Sequence, residues 1–168
     1  MNYRQLLELV VIPANEELGA DSLAAEQLLM GTLAVESKGE YLAQLNDGPA
    51  RGLFQMEPAT HKDIWENYLA YRDTYRRAAI SALTVDEENI GVGTDEFYAC
   101  VANGSLTTDL FYQAIMCRIH YLRVKDPLPP ANDIKALAAY WKKFYNTPLG
   151  AGTEQKFIDS FPGELWGI

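Results

Sequence analysis

Apolar residues recur three and four positions apart along most of the chain, and this spacing predicts a mainly α-helical protein. The first helix is expected to end near Pro13, because proline cannot donate the hydrogen bond that continues a helix. Turn residues are frequent near residues 40–54, and this region allows at most a small β-hairpin. The predicted helices cover residues 3–11, 23–37, 59–71, 73–83, 95–102, 109–124, 134–145 and 153–160.

The helix predicted over residues 23–37 is apolar almost all round, which is typical of a helix at the centre of a core. Asp21 or Ser22 is placed to cap its N-terminus. Gly31 lowers helix propensity within this segment and indicates that another element approaches closely. The 168 residues therefore predict one domain, residues 1–168, organised around this buried helix.

The acidic composition limits the classes of ligand. The net charge of −9 argues against nucleic-acid binding, which requires a basic face. The same charge gives no attraction toward an anionic polymer, so specificity for such a substrate must come from a local cleft. Two distant histidines and two separated cysteines supply no set of metal ligands, and neither a metal nor a cofactor is predicted.

Cys100 and Cys117 allow two interpretations, a pair of buried thiols or a disulfide. No stretch approaches the roughly 20 apolar residues of a membrane span, so membrane insertion is not predicted. The N-terminal region is atypical of a signal peptide, because it has one arginine and only a short apolar run. Work outside the cytoplasm would then need another carrier, such as a phage particle, a lysis system or a secretion apparatus.

Glu36 ends the apolar helix and is the first candidate for catalysis. Burial disfavours the ionised carboxyl group and raises its pKa. A neutral carboxylic acid can protonate a glycosidic oxygen. A glutamate at a helix end can equally be a solvated residue without a catalytic role.

Two motifs in this region resemble those of a known superfamily. Glu36-Ser37-x-Gly39, followed by Gly52-Leu53-Phe54-Gln55, is similar to the paired motifs of goose-type lysozymes and soluble lytic transglycosylases. The resemblance covers about residues 28–61. It implies a lysozyme-like fold and a cleft that binds the glycan strands of peptidoglycan.

The resemblance assigns roles to three residues of these motifs. Glu36 matches the general acid and base, and Ser37 matches a small polar residue that supports it. Gln55 matches the side chain that hydrogen-bonds N-acetylmuramic acid. For Ser37 the alternative is a hydroxyl bonded to its own helix end, and for Gln55 it is an amide that caps its turn.

The residues after Gln55 combine two family patterns. Pro58 matches the transglycosylase continuation, whereas Glu57 and His61 match positions of the goose-type lysozymes. Glu57 is therefore a possible second carboxylate, or simply an acidic residue at a helix N-terminus. His61 is a candidate substrate ligand, or an exposed histidine in the first helical turn.

A third family motif, Ala-Tyr-Asn, has a partial counterpart near the C-terminus. The sequence Ala-Ala-Tyr ends at Tyr140, but Trp141 stands where the family has asparagine. Tyr145-Asn146 offers a second register. Tyr140 is the first choice for the tyrosine that approaches Glu36 and the sugar, and Tyr145 and Asn146 are the alternatives. Core packing of the aromatic residues and a helix C-cap at Asn146 are the structural interpretations.

Together these features predict a lytic transglycosylase that cleaves the β-1,4 bond between N-acetylmuramic acid and N-acetylglucosamine. One alternative is a goose-type muramidase in which Glu57 assists water. Another is a catalytically silent, lysozyme-like structural or glycan-binding protein of a virion. The expected partners are peptidoglycan strands and other virion or tail proteins, and the expected location is a phage virion or the host cell wall and periplasm.

Overall fold

The prediction of a mainly helical chain is confirmed. The computed structural model describes residues 1–84, 89–147 and 150–168, and these contain helices but no β-sheet. Near residues 40–54 there are only isolated bridges, in which Arg51 pairs with Ala43 and Met56. In chain order the helices are α1 (Tyr3–Leu6), a π-helical turn (Leu7–Val11), α2 (Ile12–Glu17), α3 (Leu23–Glu36), α4 (Pro58–Asn67), a 3-10 turn (Leu69–Tyr71), α5 (Asp73–Ser81), α6 (Asp95–Asn103), α7 (Ser105–Thr108), α8 (Leu110–Leu122), α9 (Ile134–Trp141), a second π-helical turn (Lys142–Asn146), α10 (Glu154–Ser160) and a 3-10 turn (Gly163–Leu165).

The first helical segment continues past Pro13, so the prediction that it ends there is wrong. The N–H of Ile12 donates to the carbonyl of Leu7, five residues earlier, and the intervening turn is π-helical. Pro13 lies in the first turn of α2. Proline is tolerated there, and the wider π-helical turn before it accommodates the ring without ending the helix.

Helix α3 lies at the centre of the core, as its apolar sequence predicts. Residues 27–35 are all buried, and the Ser22 hydroxyl caps the helix by accepting from the N–H of Ala25 at 3.2 Å. Polar side chains buried in this helix have hydrogen-bond partners. Thr32, for example, bonds the Tyr121 hydroxyl at 2.7 Å. A satisfied polar group of this kind can be buried at little cost in stability.

The close approach predicted at Gly31 is also confirmed. A Cβ atom at this position would lie 2.2 Å from Cζ of Phe157. Phe157 is fully buried and belongs to α10. Helix α10 can therefore cross α3 only because residue 31 has no side chain.

Two further features of the chain are settled by its structure. Cys100 and Cys117 are both free thiols, of which Cys117 is buried, so the disulfide interpretation is excluded. None of the described helices is long and apolar enough to cross a membrane.

Candidate active site

The C-terminal end of α3 opens into a cavity of about 670 Å³, which we call the cleft. One wall is formed by the end of α3 and the loop that leads to α4. The opposite wall comes from α8 and from the π-helical turn after α9. The two sequence motifs around Glu36 and Gln55 therefore border a single cavity, as the resemblance implies.

Glu36 is the last residue of α3 and lies between the core and the cleft. The indole nitrogen of Trp141 donates to its Oε1 at 3.1 Å. Removal from water raises the pKa of Glu36 to about 7, against the smaller opposing effects of the Trp141 hydrogen bond and the positive charge of Lys156. A carboxyl group with such a pKa can donate and accept a proton near neutral pH.

Gln55 lines the cleft in a turn that it caps itself. Its backbone is in the left-handed region, with φ of +49°. The side-chain amide nitrogen donates to the carbonyl of Gly52 at 2.8 Å, and the backbone N–H donates to the same oxygen at 3.1 Å. The turn-capping interpretation is thus observed, and it engages the amide nitrogen of a residue that still lines the cleft.

The Gly52–Gln55 turn is fastened to two other elements. Gln113 of α8 accepts from the N–H of Leu53 at 2.8 Å. The Tyr145 hydroxyl donates to the carbonyl of Phe54 at 2.7 Å. Gly52 has φ of +72°, and a Cβ there would lie 2.6 Å from the carbonyl oxygen of Leu106. Because glycine alone fits this position, the turn can approach α7 and α8 closely while Gln55 lines the cleft.

Tyr145 and His120 form the wall opposite the end of α3. The two rings pack with centroids 4.8 Å apart. His120 donates from Nε2 to the carbonyl of Phe144, and its Nδ1 accepts from Arg123. Burial lowers the pKa of His120 to about 4, so this wall is uncharged at neutral pH.

Ser37 and Asn146 both border the cleft but are engaged within the protein. The Ser37 hydroxyl donates to the carbonyl of Leu33 at 3.3 Å and accepts from the N–H of Gly39 at 3.1 Å, so it shapes the chain reversal after Glu36. Asn146 accepts from Lys142 at 2.8 Å through its side-chain oxygen. Both residues hold the rim of the cleft in place.

Glu57 lies at the rim of the cleft, at the N-cap position of α4. Its side chain is exposed and makes no capping hydrogen bond. The two carboxylates of the motif region thus differ in their surroundings. Glu36 is largely removed from water, and Glu57 is solvated.

His61 and Tyr140 do not reach the cleft, and the predictions that placed them there are wrong. His61 is fully buried, and its Nε2 lies 2.7 Å from the Tyr112 hydroxyl. The alternative of an exposed histidine is wrong as well. The Tyr140 hydroxyl donates to the carbonyl of Asp126 at 3.0 Å, away from Glu36.

Trp141 is the residue that sequence reasoning missed. Successive helical positions differ by about 100° around the axis, so Tyr140 and Trp141 face different neighbours. The face of α9 that meets Glu36 carries Trp141. One sequence signal could have identified Trp141. It stands where the family motif has asparagine, and both side chains can donate a hydrogen bond.

No group of three or more His, Cys, Asp or Glu side chains that could hold a metal ion occurs in the described parts of the chain. No family model, curated protein or solved structure matches the chain. The resemblance to lysozymes and transglycosylases therefore depends on the sequence motifs alone.

Proposed function

We propose that the protein is a lytic transglycosylase that cleaves the β-1,4 bond between N-acetylmuramic acid and N-acetylglucosamine in peptidoglycan. The observation that carries this proposal is the placement of Glu36. Its carboxyl group ends a buried helix, borders a cleft of about 670 Å³ and has a pKa raised to about 7. A single carboxyl group in this state can serve as acid and then as base.

In the first half of the proposed reaction, neutral Glu36 donates its proton to the glycosidic oxygen. The bond from that oxygen to C1 of N-acetylmuramic acid breaks, and the N-acetylglucosamine side leaves as an alcohol. Positive charge develops at C1 and the ring oxygen. The Gln55 amide, held in its strained turn, borders the space where this sugar would lie.

In the second half, the Glu36 carboxylate removes the proton from the C6 hydroxyl of the same sugar. O6 then bonds to C1 and closes a 1,6-anhydro ring, so no water is consumed. This chemistry needs one carboxylate, and Glu36 alone of the two cleft glutamates lies in a desolvated position. The contrast between Glu36 and Glu57 supports the anhydro reaction over hydrolysis.

Hydrolysis is the second candidate, because Glu57 borders the same cleft and its exposed side chain makes no capping hydrogen bond. An inverting hydrolase uses a second carboxylate to activate water on the far face of the sugar. In that version Glu36 would protonate the leaving oxygen and Glu57 would activate water. The exposed position of Glu57 leaves room for this water.

The charges of the cleft fit an anionic polymer better than the net charge of −9 suggests. Lys38 and Lys156 both border the cleft. Neither forms an ion pair with any residue that the structure describes. Muramic acid and its peptides carry carboxylates that such lysines attract at short range.

Product analysis on purified cell wall tests the proposal. The wild-type protein should clear the wall and release muropeptides with anhydro ends, which are lighter than reducing ends by one water. Glu36→Gln should abolish release, whereas Glu57→Gln should retain it with the same products. Reducing ends that disappear in Glu57→Gln would establish hydrolysis instead. Binding without any clearing by the wild type would indicate a silent lysozyme-like scaffold.

The cellular setting stays a prediction of the sequence. A wall-cleaving protein of a phage particle should be detected in purified virions by mass spectrometry. Its absence from virions of a producing lysate would remove the phage setting and leave the enzymatic proposal intact.

A further inference from the structure

The indole N–H of Trp141 makes a specific hydrogen bond to the Glu36 carboxyl group. Within the described residues, no second hydrogen bond to that carboxyl group accompanies it. The indole nitrogen of tryptophan is a donor only, so it cannot accept the carboxyl proton. A carbonyl oxygen accepts better than the hydroxyl oxygen of a carboxylic acid, so when Glu36 is neutral this bond favours Oε1 as the carbonyl oxygen and Oε2 as the oxygen that carries the proton.

The indole is held so that it cannot turn away. Trp141 is 1% exposed, and its ring lies 5.5 Å from that of Phe157. A Cβ at Gly152 would lie 2.5 Å from Cη2 of the indole. Phe157 is itself seated against Gly31. Helices α3, α9 and α10 thus fix the donor and the acceptor relative to each other.

This hydrogen bond changes in strength as the reaction proceeds. A donor binds an ionised acceptor more strongly than a neutral one. Glu36 would be neutral before the first proton transfer, ionised after it and neutral again after the second. A fixed donor therefore stabilises the Glu36 carboxylate between the two proton transfers, and the indole does not have to move to do so.

We propose that Trp141 is a positioning residue for Glu36, whose indole N–H binds Oε1, leaves Oε2 to donate and regain the proton, and stabilises the carboxylate between these transfers. The Oε2 proton passes to the glycosidic oxygen as the C1–O bond breaks. The C6 hydroxyl proton then passes to Oε2 as the O6–C1 bond forms. The kinetic part of this inference rests on the proposed function, whereas the coupling of Trp141 to Glu36 does not.

Trp141→Phe tests the kinetic part, because it keeps an aromatic ring and removes the donor. We expect kcat to fall roughly ten-fold or more with KM little changed. The alkaline limb of the kcat profile should move up by roughly one pH unit, because the ionised acid has lost its donor. Trp65→Phe is the matched control, since it removes an indole N–H that donates to His61 in the core. It should not move this limb.

The coupling is also measurable in the wild-type protein without any activity. The indole N–H signals in proton–nitrogen NMR spectra should include one that titrates with a midpoint near that of Glu36, about 7. This titration should vanish in Glu36→Gln. The Trp166 indole bonds Glu26, so its signal should be unaffected by that substitution. This measurement decides the question even if Trp141→Phe does not fold.

The outcomes separate the two levels of inference. An indole signal that titrates with Glu36, together with an upward shift of the limb in Trp141→Phe, supports the positioning role. No titrating indole, or a limb that stays in place, overturns it. If the wild type cleaves no glycan, the proposed function fails, and the titration alone still decides whether Trp141 holds the Glu36 carboxylate.

Discussion

Two titratable side chains, Glu36 and His61, lie in the same helical core, and each accepts from an indole N–H. Trp141 donates to Glu36 at 3.1 Å, and Trp65 donates to His61 at 3.0 Å. Burial drives both groups toward their neutral forms. It raises the pKa of Glu36 to about 7 and lowers the pKa of His61 to about 3.

Access to the cleft separates these two sites. Glu36 borders a cavity into which a polymer can enter, whereas His61 has no exposed surface. The Trp65 indole and the Tyr112 hydroxyl both lie within hydrogen-bond distance of Nε2 of His61, and the described structure supplies no partner for Nδ1. A perturbed pKa thus marks burial at both sites, and only the site that a ligand can reach is a candidate for catalysis.

The largest expected difference between the two sites is in activity. Glu36→Gln should lower the rate of wall cleavage roughly 100- to 10,000-fold, because it removes the general acid. His61→Gln should leave the rate per folded molecule near that of the wild type. Turbidity clearing, normalised to the folded fraction from circular dichroism, measures both. An equal loss in the two variants would contradict the separation.

Acid should destabilise the protein through His61. The unfolded histidine takes up a proton near pH 6.5 and the folded one only near pH 3, so stability is lost as the pH falls between these values. Between pH 7 and pH 4 the expected loss is about 3 kcal/mol. Urea unfolding should show a smaller acid loss in His61→Gln. His120, whose pKa is about 4, contributes in the same direction. Identical slopes in variant and wild type would refute the prediction.

Alkaline pH should destabilise the protein through Glu36. The folded pKa of about 7 exceeds the unfolded value of 4.5, so the contribution of Glu36 to stability is most favourable below pH 4.5 and is lost as the pH rises through 7. Glu36→Gln should therefore stabilise the protein by up to about 3 kcal/mol at pH 8. The gain should disappear below pH 4.5. Glu57→Gln, at an exposed site, serves as the control and should show no such gain.

Phe157, which packs against Trp141, can be displaced by a substitution at Gly31 of α3. Gly31→Ala places a methyl group against Phe157 and should destabilise the protein by about 1–3 kcal/mol, although alanine favours the helix. Gly91→Ala is a suitable control, because among the described residues its added methyl group would lie no closer than 3.6 Å to a neighbour, the side chain of Thr94. Combining Gly31→Ala with Phe157→Leu should cost less than the sum of the two single changes, as urea unfolding would measure. Strict additivity would argue against a direct clash.

The smallest expected effect concerns the charges at the mouth of the cleft. Lys38→Met and Lys156→Met should each raise KM for cell wall roughly two- to five-fold at low salt. The difference should fade at high salt, because screening shortens the range of the attraction. Lys125→Met lies outside the cleft and is the control. A KM difference that persists at high salt would indicate a role other than charge.

Much of the fold follows from local patterns. Hydrophobic periodicity predicted most helices to within a few residues, because a helix repeats on a scale that neighbouring residues determine. The end predicted at Pro13 was the exception, because a π-helical turn precedes the proline and the helical segment continues through it. The two motifs also placed Glu36 and Gln55 on one cavity.

Contacts between distant segments were less predictable. His61 and Tyr140 matched positions near family motifs, but both side chains point into the core. The residue of α9 that contacts the Glu36 carboxyl group is Trp141, one position after the predicted Tyr140, whose hydroxyl bonds Asp126 instead. No local pattern distinguishes these neighbours, because both are large, amphipathic aromatic residues that a helix can bury.

The sequence by itself determined that Glu36 ends an apolar helix and that a glycine within this helix meets another element. Only the tertiary structure decided how far Glu36 is removed from water and which donor binds it. Those properties arise when α9 and α10 pack on α3, with Phe157 at Gly31 and Trp141 at Glu36. The pKa of a carboxyl group depends on every segment that excludes water from it, and these segments are more than 100 residues away along the chain.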